Sequence, residues 1–175
     1  GRLFEWLREI TGQTARSYVS IMEEIRDVGE DSLPAFFPSI HAGARWEFST
    51  GVFVGLGAEH GPAQIGHAVV EAIGYSVREG IEILEDIVGE LSVIRACGGQ
   101  AKNAIWNQMK ADITGKTIIV PEVIDAELVG NACIAYAGLG RYSSAESAAE
   151  RMVRFHGRFV PDCGPHRHYD RRYRR

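Results

Sequence analysis

Apolar residues recur every three or four positions through Ile65, Val69, Ile73, Val77, Ile81, Leu84 and Val88, the spacing of one helix face. The run predicts a helix of about 25 residues, the longest in the chain. Pro62 suits its first position, where a missing N–H costs nothing, and Gly89 stops it. Glu71, Arg78, Glu82 and Glu85 fall on the opposite face, and His67 on that polar side reads as a surface residue.

Two shorter helices precede it. Gly1 to Ile10 has Leu3, Phe4, Trp6 and Leu7 on one face. Thr14 to Ile25 has Tyr18, Ile21, Met22 and Ile25 at helical spacing. GEDSLP breaks the pattern with glycine and proline. From Phe36, Phe37 and Pro38 onward the chain reads as irregular and poor in strand, up to a Gly51–Gly57 piece that fits a strand with glycine ends.

Beyond the long helix, Leu91 to Ala96 is a short apolar run that fits a buried strand. Gly98 and Gly99 break it, and a double glycine allows positive φ and close backbone approach by a ligand. A helix follows with Ile105, Met109 and Ile113 on one face, and Lys102 and Asn103 in its first turn. A Cβ-free turn between a strand and a helix N-terminus is where many α/β proteins hold a nucleotide. A tight turn without any ligand fits the same local pattern. Thr117 to Val120 is then a β-branched strand closed by Pro121. A helix at about Asp125 to Ala137 carries Gly130, Ala132, Ala135 and Ala137, small residues that would let its backbone approach a neighbour. Ser143 and Glu146 read as a capping box for a helix presenting Ala148, Met152 and Phe155. Helix pairs followed by strand–helix alternation predict a single α/β layered domain.

At 175 residues and 45% hydrophobic content, the chain is large enough for one real core. A net charge of −4 argues against a nucleic-acid or acidic-membrane partner. The charge is uneven, because HRHYDRRYRR at the C-terminus holds five arginines against one aspartate. Tyr169 and Tyr173 in it fit a terminal amphipathic helix better than a nucleic-acid arm. Cys97, Cys133 and Cys163 are widely spaced without C-x-x-C, which points to a reducing compartment and a cytoplasmic location. No signal peptide or membrane-length apolar run is evident. Gly rather than Met at position 1 suggests a fragment or processed product.

Three apparent sites fail on spacing. TGKT at Thr114–Thr117 has Lys110 where a P-loop needs its first glycine, and the G-x-G starting at Gly55 has His60 in place of the last glycine. Cys163, His166 and His168 match no standard zinc spacing, so no metal site is expected.

GGQAKNAIWNQMKAD resembles the glycine-rich adenosine motif of the FGGY carbohydrate kinases: G-G, eight residues, Q, two residues, A-D. Gly98, Gly99, Gln108, Ala111 and Asp112 stand in register. The strand TIIV and then PEVIDAELVGNACIAYAGLGRY resemble the family's later segment of acidic residue, small-residue helix and G-x-G-x-[YF]. Gly1 with LFEWL resembles G-x-x-x-Q-W-L near the nucleotide phosphates, but Glu5 replaces the frequent glutamine and would repel phosphate. Trp6 there reads as core. Residues 36–48 resemble P-x-L-x-G-E-R-x-P through Pro38, Gly43 and Arg45, with Ala44 for the glutamate and no second proline. Arg45 is expected to be structural.

The resemblance covers nearly all of the chain. It implies a ribonuclease-H-like, actin-like ATPase domain with a mixed sheet flanked by helices: the C-terminal half of a kinase that moves the ATP γ-phosphoryl group to a sugar or polyol. ATP or ADP with Mg2+ would be the ligand, held by Gly98, Gly99, Gln100, Asn103 and Gly1. Asn103 sits where some relatives use an asparagine to hydrogen-bond the base, and an amide can donate and accept together. Water-facing polarity is its plainer reading. The family's D-x-G-[TS] phosphate loop is absent here, and with it the aspartate base, so no catalytic residue is expected in these 175 residues. A homodimer is a further implication. The alternative reading is a non-catalytic actin-like domain that binds nucleotide or a partner.

Overall fold

The computed structural model describes residues 2–29, 33–41 and 47–174. Helices α1 (Arg2–Ile10) and α2 (Tyr18–Arg26) lead into strands β1 (Ala35–His41) and β2 (Glu47–Val54), and then α3 (Pro62–Val88). Strand β3 (Val93–Arg95), a 3₁₀ turn (Gly99–Lys102), α4 (Ala104–Thr114) and β4 (Thr117–Pro121) follow. The chain ends with α5 (Ala126–Gly138), α6 (Ala145–Met152), β5 (Phe155–Phe159) and α7 (Cys163–Tyr173).

One sheet is mixed: β4 lies between β3, which runs parallel to it, and β5, which runs antiparallel. Helix α4 packs on β4 and β5 and is contacted in turn by α2, α3 and α7. Phe4, Leu7, Met22, Ile25, Val69 and Trp106 bring α1, α2, α3 and α4 into one core.

The second sheet is a β1–β2 hairpin in the stretch expected to be poor in strand. Pro38 hid it, since proline removes a ladder donor. A two-stranded ribbon has outer edges where that loss is harmless. Pro38 pairs with Gly51, and a side chain at Gly51 would collide with the ring of Phe36. Phe36 stacks between Trp6, at 5.8 Å, and Phe53, at 4.5 Å, so Trp6 is core as expected. Gly43 and Arg45 lie outside the described residues.

Helix α3 spans its predicted length but not its predicted polarity. Glu71 and His67 are buried, as is Arg78, because α7 docks on that face. His67 stacks on Tyr169 with ring centroids 6.2 Å apart. Arg172 forks onto Glu71 at 2.6 and 2.8 Å, and Arg78 reaches Asp170 at 2.7 Å. The arginine-rich tail is therefore a docking helix. Asp170 is held below the usual carboxylate range by the Arg78 hydrogen bond.

Other expectations shift locally. β3 is a short, largely exposed strand, not a buried one. The cap of α6 is Ser144, one residue beyond the expected Ser143: its hydroxyl accepts from the Ser147 N–H and its own N–H donates to the Ser147 hydroxyl. Helix α6 stops at Met152, so Phe155 begins β5. Helix α5 packs closely against α6, as its small residues predict, though Gly130 itself faces open space; in α3 a Cβ at Gly74 would run into Ile113 and one at Gly66 into Ile25.

Candidate functional site

The chain leaves β3 through Ala96, whose N–H donates to the Ile119 carbonyl at 2.9 Å. Gly98 then turns it, with φ 80° and ψ −175°, a region essentially reserved for glycine. Its N–H is anchored on the Ile124 carbonyl at 2.8 Å. The next four residues form the 3₁₀ turn, and Asn103 caps α4 by accepting from the Trp106 N–H at 2.9 Å. Helix α4 also holds the turn from beneath. The Trp106 indole donates to Gln100 Oε1 at 3.2 Å, and buried Asn107 donates to the Ala101 carbonyl at 2.8 Å.

This turn forms one wall of a cleft of about 670 Å³, a volume typical of small-molecule sites. Gly99, Gln100, Lys102 and Asn103 face Phe4 of α1, Tyr18 and Met22 of α2, and Ile73 of α3 across it. Tyr18 stacks on Phe4 at 5.4 Å and lies under the Arg8 guanidinium at 4.5 Å. Apolar and aromatic walls with a few polar groups at one side suit a flat heteroaromatic ring.

Gly98, Gly99, Gln100 and Asn103, singled out in the sequence, are thus brought together. Gly1 lies outside the described residues. Positive φ occurs at Gly98 and not at Gly99. Asn103 precedes the helix as its cap instead of lying within the first turn. Asn103→Ala should therefore destabilise the fold by about 0.5–2 kcal/mol through the lost cap alone, a decrease read directly by thermal melting.

The rest of the glycine-rich motif has a different task. Asp112 Oδ1 accepts from Gln108 Nε2 at 2.9 Å and from the Asp162 N–H at 2.8 Å, and Gln108 also donates to the Val160 carbonyl. These two side chains clamp the segment entering α7 and stand away from the cleft. Burial pushes the Asp112 carboxyl above its ordinary range. Lys110, 5.4 Å over the Trp106 ring, is lowered to about 8 by burial. The false P-loop is structural too: Gly115 ends α4 in the left-handed conformation and Lys116 pairs with Glu85. Sequence reasoning missed Trp106 as the turn's support and Tyr18 as a cleft wall. Tyr18 was assigned to a helix face by period, which cannot separate a cleft wall from a core, and Trp106 lies off the α4 face that period picked out.

The mixed sheet flanked by helices, with a glycine turn opening onto an apolar cleft, agrees with the ribonuclease-H-like, actin-like ATPase fold that the family resemblance implies. The chain belongs to the FGGY family of carbohydrate kinases, whose C-terminal domain matches residues 3–139. It is 32% identical over 123 residues to a xylulose kinase of Staphylococcus epidermidis, covering 70% of this chain and 25% of that protein. A glycerol kinase of Saccharolobus islandicus is 27% identical over 83% of this chain and 30% of its own length. Among solved structures, xylulose kinase from Rhodospirillum rubrum superposes with a TM-score of 0.81 at 23% identity, over 99% of this chain and 36% of that one. Plasmodium falciparum glycerol kinase with ADP gives 0.77 at 18% identity, over 98% and 35%. The chain thus spans roughly a quarter to a third of the length of these relatives. Among the described residues no helix is long and apolar enough to cross a membrane.

Proposed function

We propose that this chain is the nucleotide-binding C-terminal domain of an ATP-dependent kinase acting on a sugar or polyol in the cytoplasm. The observation that carries the reading is the Gly98–Asn103 turn, fixed by Trp106 and Asn107 and open to an apolar cleft walled by Tyr18 and Phe4. The residues present fit an adenosine group: Gly99 leaves the cleft wall free of a side chain, and the aromatic walls offer a surface for a base. Relatives named as xylulose and glycerol kinases, one of them solved with ADP, support the same assignment.

In this reading the chain's own residues bind and orient. The turn positions the base, and α1, α2 and α3 exclude water from it. ATP, when bound with Mg2+, supplies the phosphoryl group. Mg2+ would accompany the nucleotide and neutralise charge on its phosphates. The base that deprotonates the accepting hydroxyl is assigned to the part of the protein outside this chain, since D-x-G-[TS] does not occur in these residues. A homodimer remains part of the proposal, to be checked by light scattering.

The test compares the full-length protein with the 175-residue chain on a panel of pentoses, hexoses and glycerol. The full-length protein is expected to phosphorylate one of them, and the isolated chain none. Turnover by the chain alone would overturn the division of labour. ADP binding by a full-length protein that phosphorylates nothing would instead mark a non-catalytic actin-like domain.

A further inference from the structure

A second cavity, of about 390 Å³, lies where α2, α3, α4 and α7 meet, and it shares no lining residue with the nucleotide cleft. Ile105, Met109 and Pro165 give it apolar walls, and Tyr169 an aromatic one. Gln108 and Asp112 stand side by side on its α4 wall, joined by the 2.9 Å bond from Gln108 Nε2 to Asp112 Oδ1. Both Gln108 amide hydrogens are donated, one to Asp112 and one to the Val160 carbonyl, so chemistry identifies the amide oxygen as the atom turned elsewhere. Asp112 Oδ1 already takes two donors, Gln108 and the Asp162 N–H. Among the described residues nothing donates to Gln108 Oε1 or to Asp112 Oδ2, and neither oxygen is sealed off.

The cavity therefore offers two neighbouring acceptors, one of them a carboxylate on a residue only 5% exposed. Buried charge is stable when it is paired. The cation on the rim, Arg26, pairs with Asp27 at 2.7 Å, and the Tyr169 hydroxyl lies 3.4 Å from His67 Nε2. We propose that this cavity is a second ligand site, taking a primary ammonium group carried on a short apolar or aromatic body. An ammonium has three donors, enough for Asp112 Oδ2 and Gln108 Oε1 together. The Tyr169 ring adds a surface that a cation favours. Burial already works against the Asp112 charge, and an incoming positive group offsets that cost. A neutral head would leave the carboxylate uncompensated, and an anionic one would be repelled by it.

The test is a ligand-detected NMR titration of the full-length protein with phenethylamine, its neutral isostere phenethyl alcohol, and the anionic hydrocinnamate. The amine is expected to bind at least about tenfold more tightly than the alcohol, the least that a hydrogen bond to a charged group contributes. Hydrocinnamate is expected not to bind. Asp112→Asn removes the charge while its amide oxygen can still receive Gln108 and Asp162, so the clamp on α7 stays and the amine's advantage should disappear. Ala104→Phe, at an exposed position lining the cavity, should weaken amine and alcohol alike by obstruction, and it decides the location if Asp112→Asn does not fold. An amine that binds no more tightly than the alcohol overturns the assignment, as does one that keeps its advantage in Asp112→Asn. Tighter binding of hydrocinnamate would make this an anion site at Arg26 and overturns it too. Amine affinity unchanged by Ala104→Phe places the ligand elsewhere, with the same consequence.

Discussion

Arg172→Ala is expected to lower the stability of the fold by about 3–5 kcal/mol, the cost of stranding one member of a buried ion pair. Glu71 is 2% exposed in the middle of α3, and its carboxylate accepts from three donors. Arg172 supplies two, at 2.6 and 2.8 Å, and the Tyr75 hydroxyl supplies the third at 2.7 Å. Removing the guanidinium leaves a buried negative charge with only a phenol to meet it. Burial, with Glu71 beside it, already pushes Tyr75 well above its usual range. Arg172 also donates to the carbonyls of Leu33 and Pro34 at 3.4 and 3.2 Å, so the same substitution loosens the entry to the hairpin. Domains of this kind keep only about 5–15 kcal/mol in total, so the variant should unfold at a visibly lower denaturant concentration. Replacing both partners by apolar residues, Glu71→Leu with Arg172→Met, should recover much of the loss, because no charge is then left buried. Recovery would be incomplete, since Leu33 and Pro34 still lose their donor. A single variant that unfolds at the parent's midpoint would show that the pair contributes little.

That ion pair also marks where the sequence stops being legible. The period of α3 announced a helix and its length, and α4, β4 and the glycine turn were equally plain, because each is specified by neighbours within a few residues. What covers a helix face is set by residues far along the chain. Glu71 and Arg172 are 101 positions apart, so Glu71 looked like a solvated charge and Arg172 like one charge of a terminal amphipathic helix with no partner named for it. The same distance effect explains Gln108 and Asp112, which read as ligand motif and prove to hold the chain near Asp162. β5 was lost for a local reason. FHGRF alternates as a strand should, but the helical spacing from Ala148 to Met152 runs smoothly into Phe155. Only the β conformation at Val153, with ψ 123°, ends the helix first. The nucleotide turn was legible in position and not in detail, since two adjacent glycines give no sign of which one carries the unusual backbone.

Gly98→Val and Gly99→Val should therefore fail in different ways. At Gly98 the backbone holds φ 80° and ψ −175°, where a residue with a Cβ is strained by about 1–3 kcal/mol. A valine there must either carry that strain or let the turn swing away from its anchor on the Ile124 carbonyl. Both a lower melting temperature and weaker ADP binding are expected. At Gly99 φ is not positive, and a Cβ would meet nothing within 4 Å. The fold should accept valine and melt like the parent. Gly99 nevertheless lines the cleft, and the open space that makes the substitution harmless to the fold is the space assigned to the nucleotide. An isopropyl group in it should weaken ADP at least about tenfold, or about 1.4 kcal/mol. Thermal melts separate the two variants on stability, and ADP titration of the full-length protein separates strain from obstruction. If Gly99→Val binds ADP as tightly as the parent, the base does not lie against this turn, and the glycine pair serves only to carry the chain from β3 into α4.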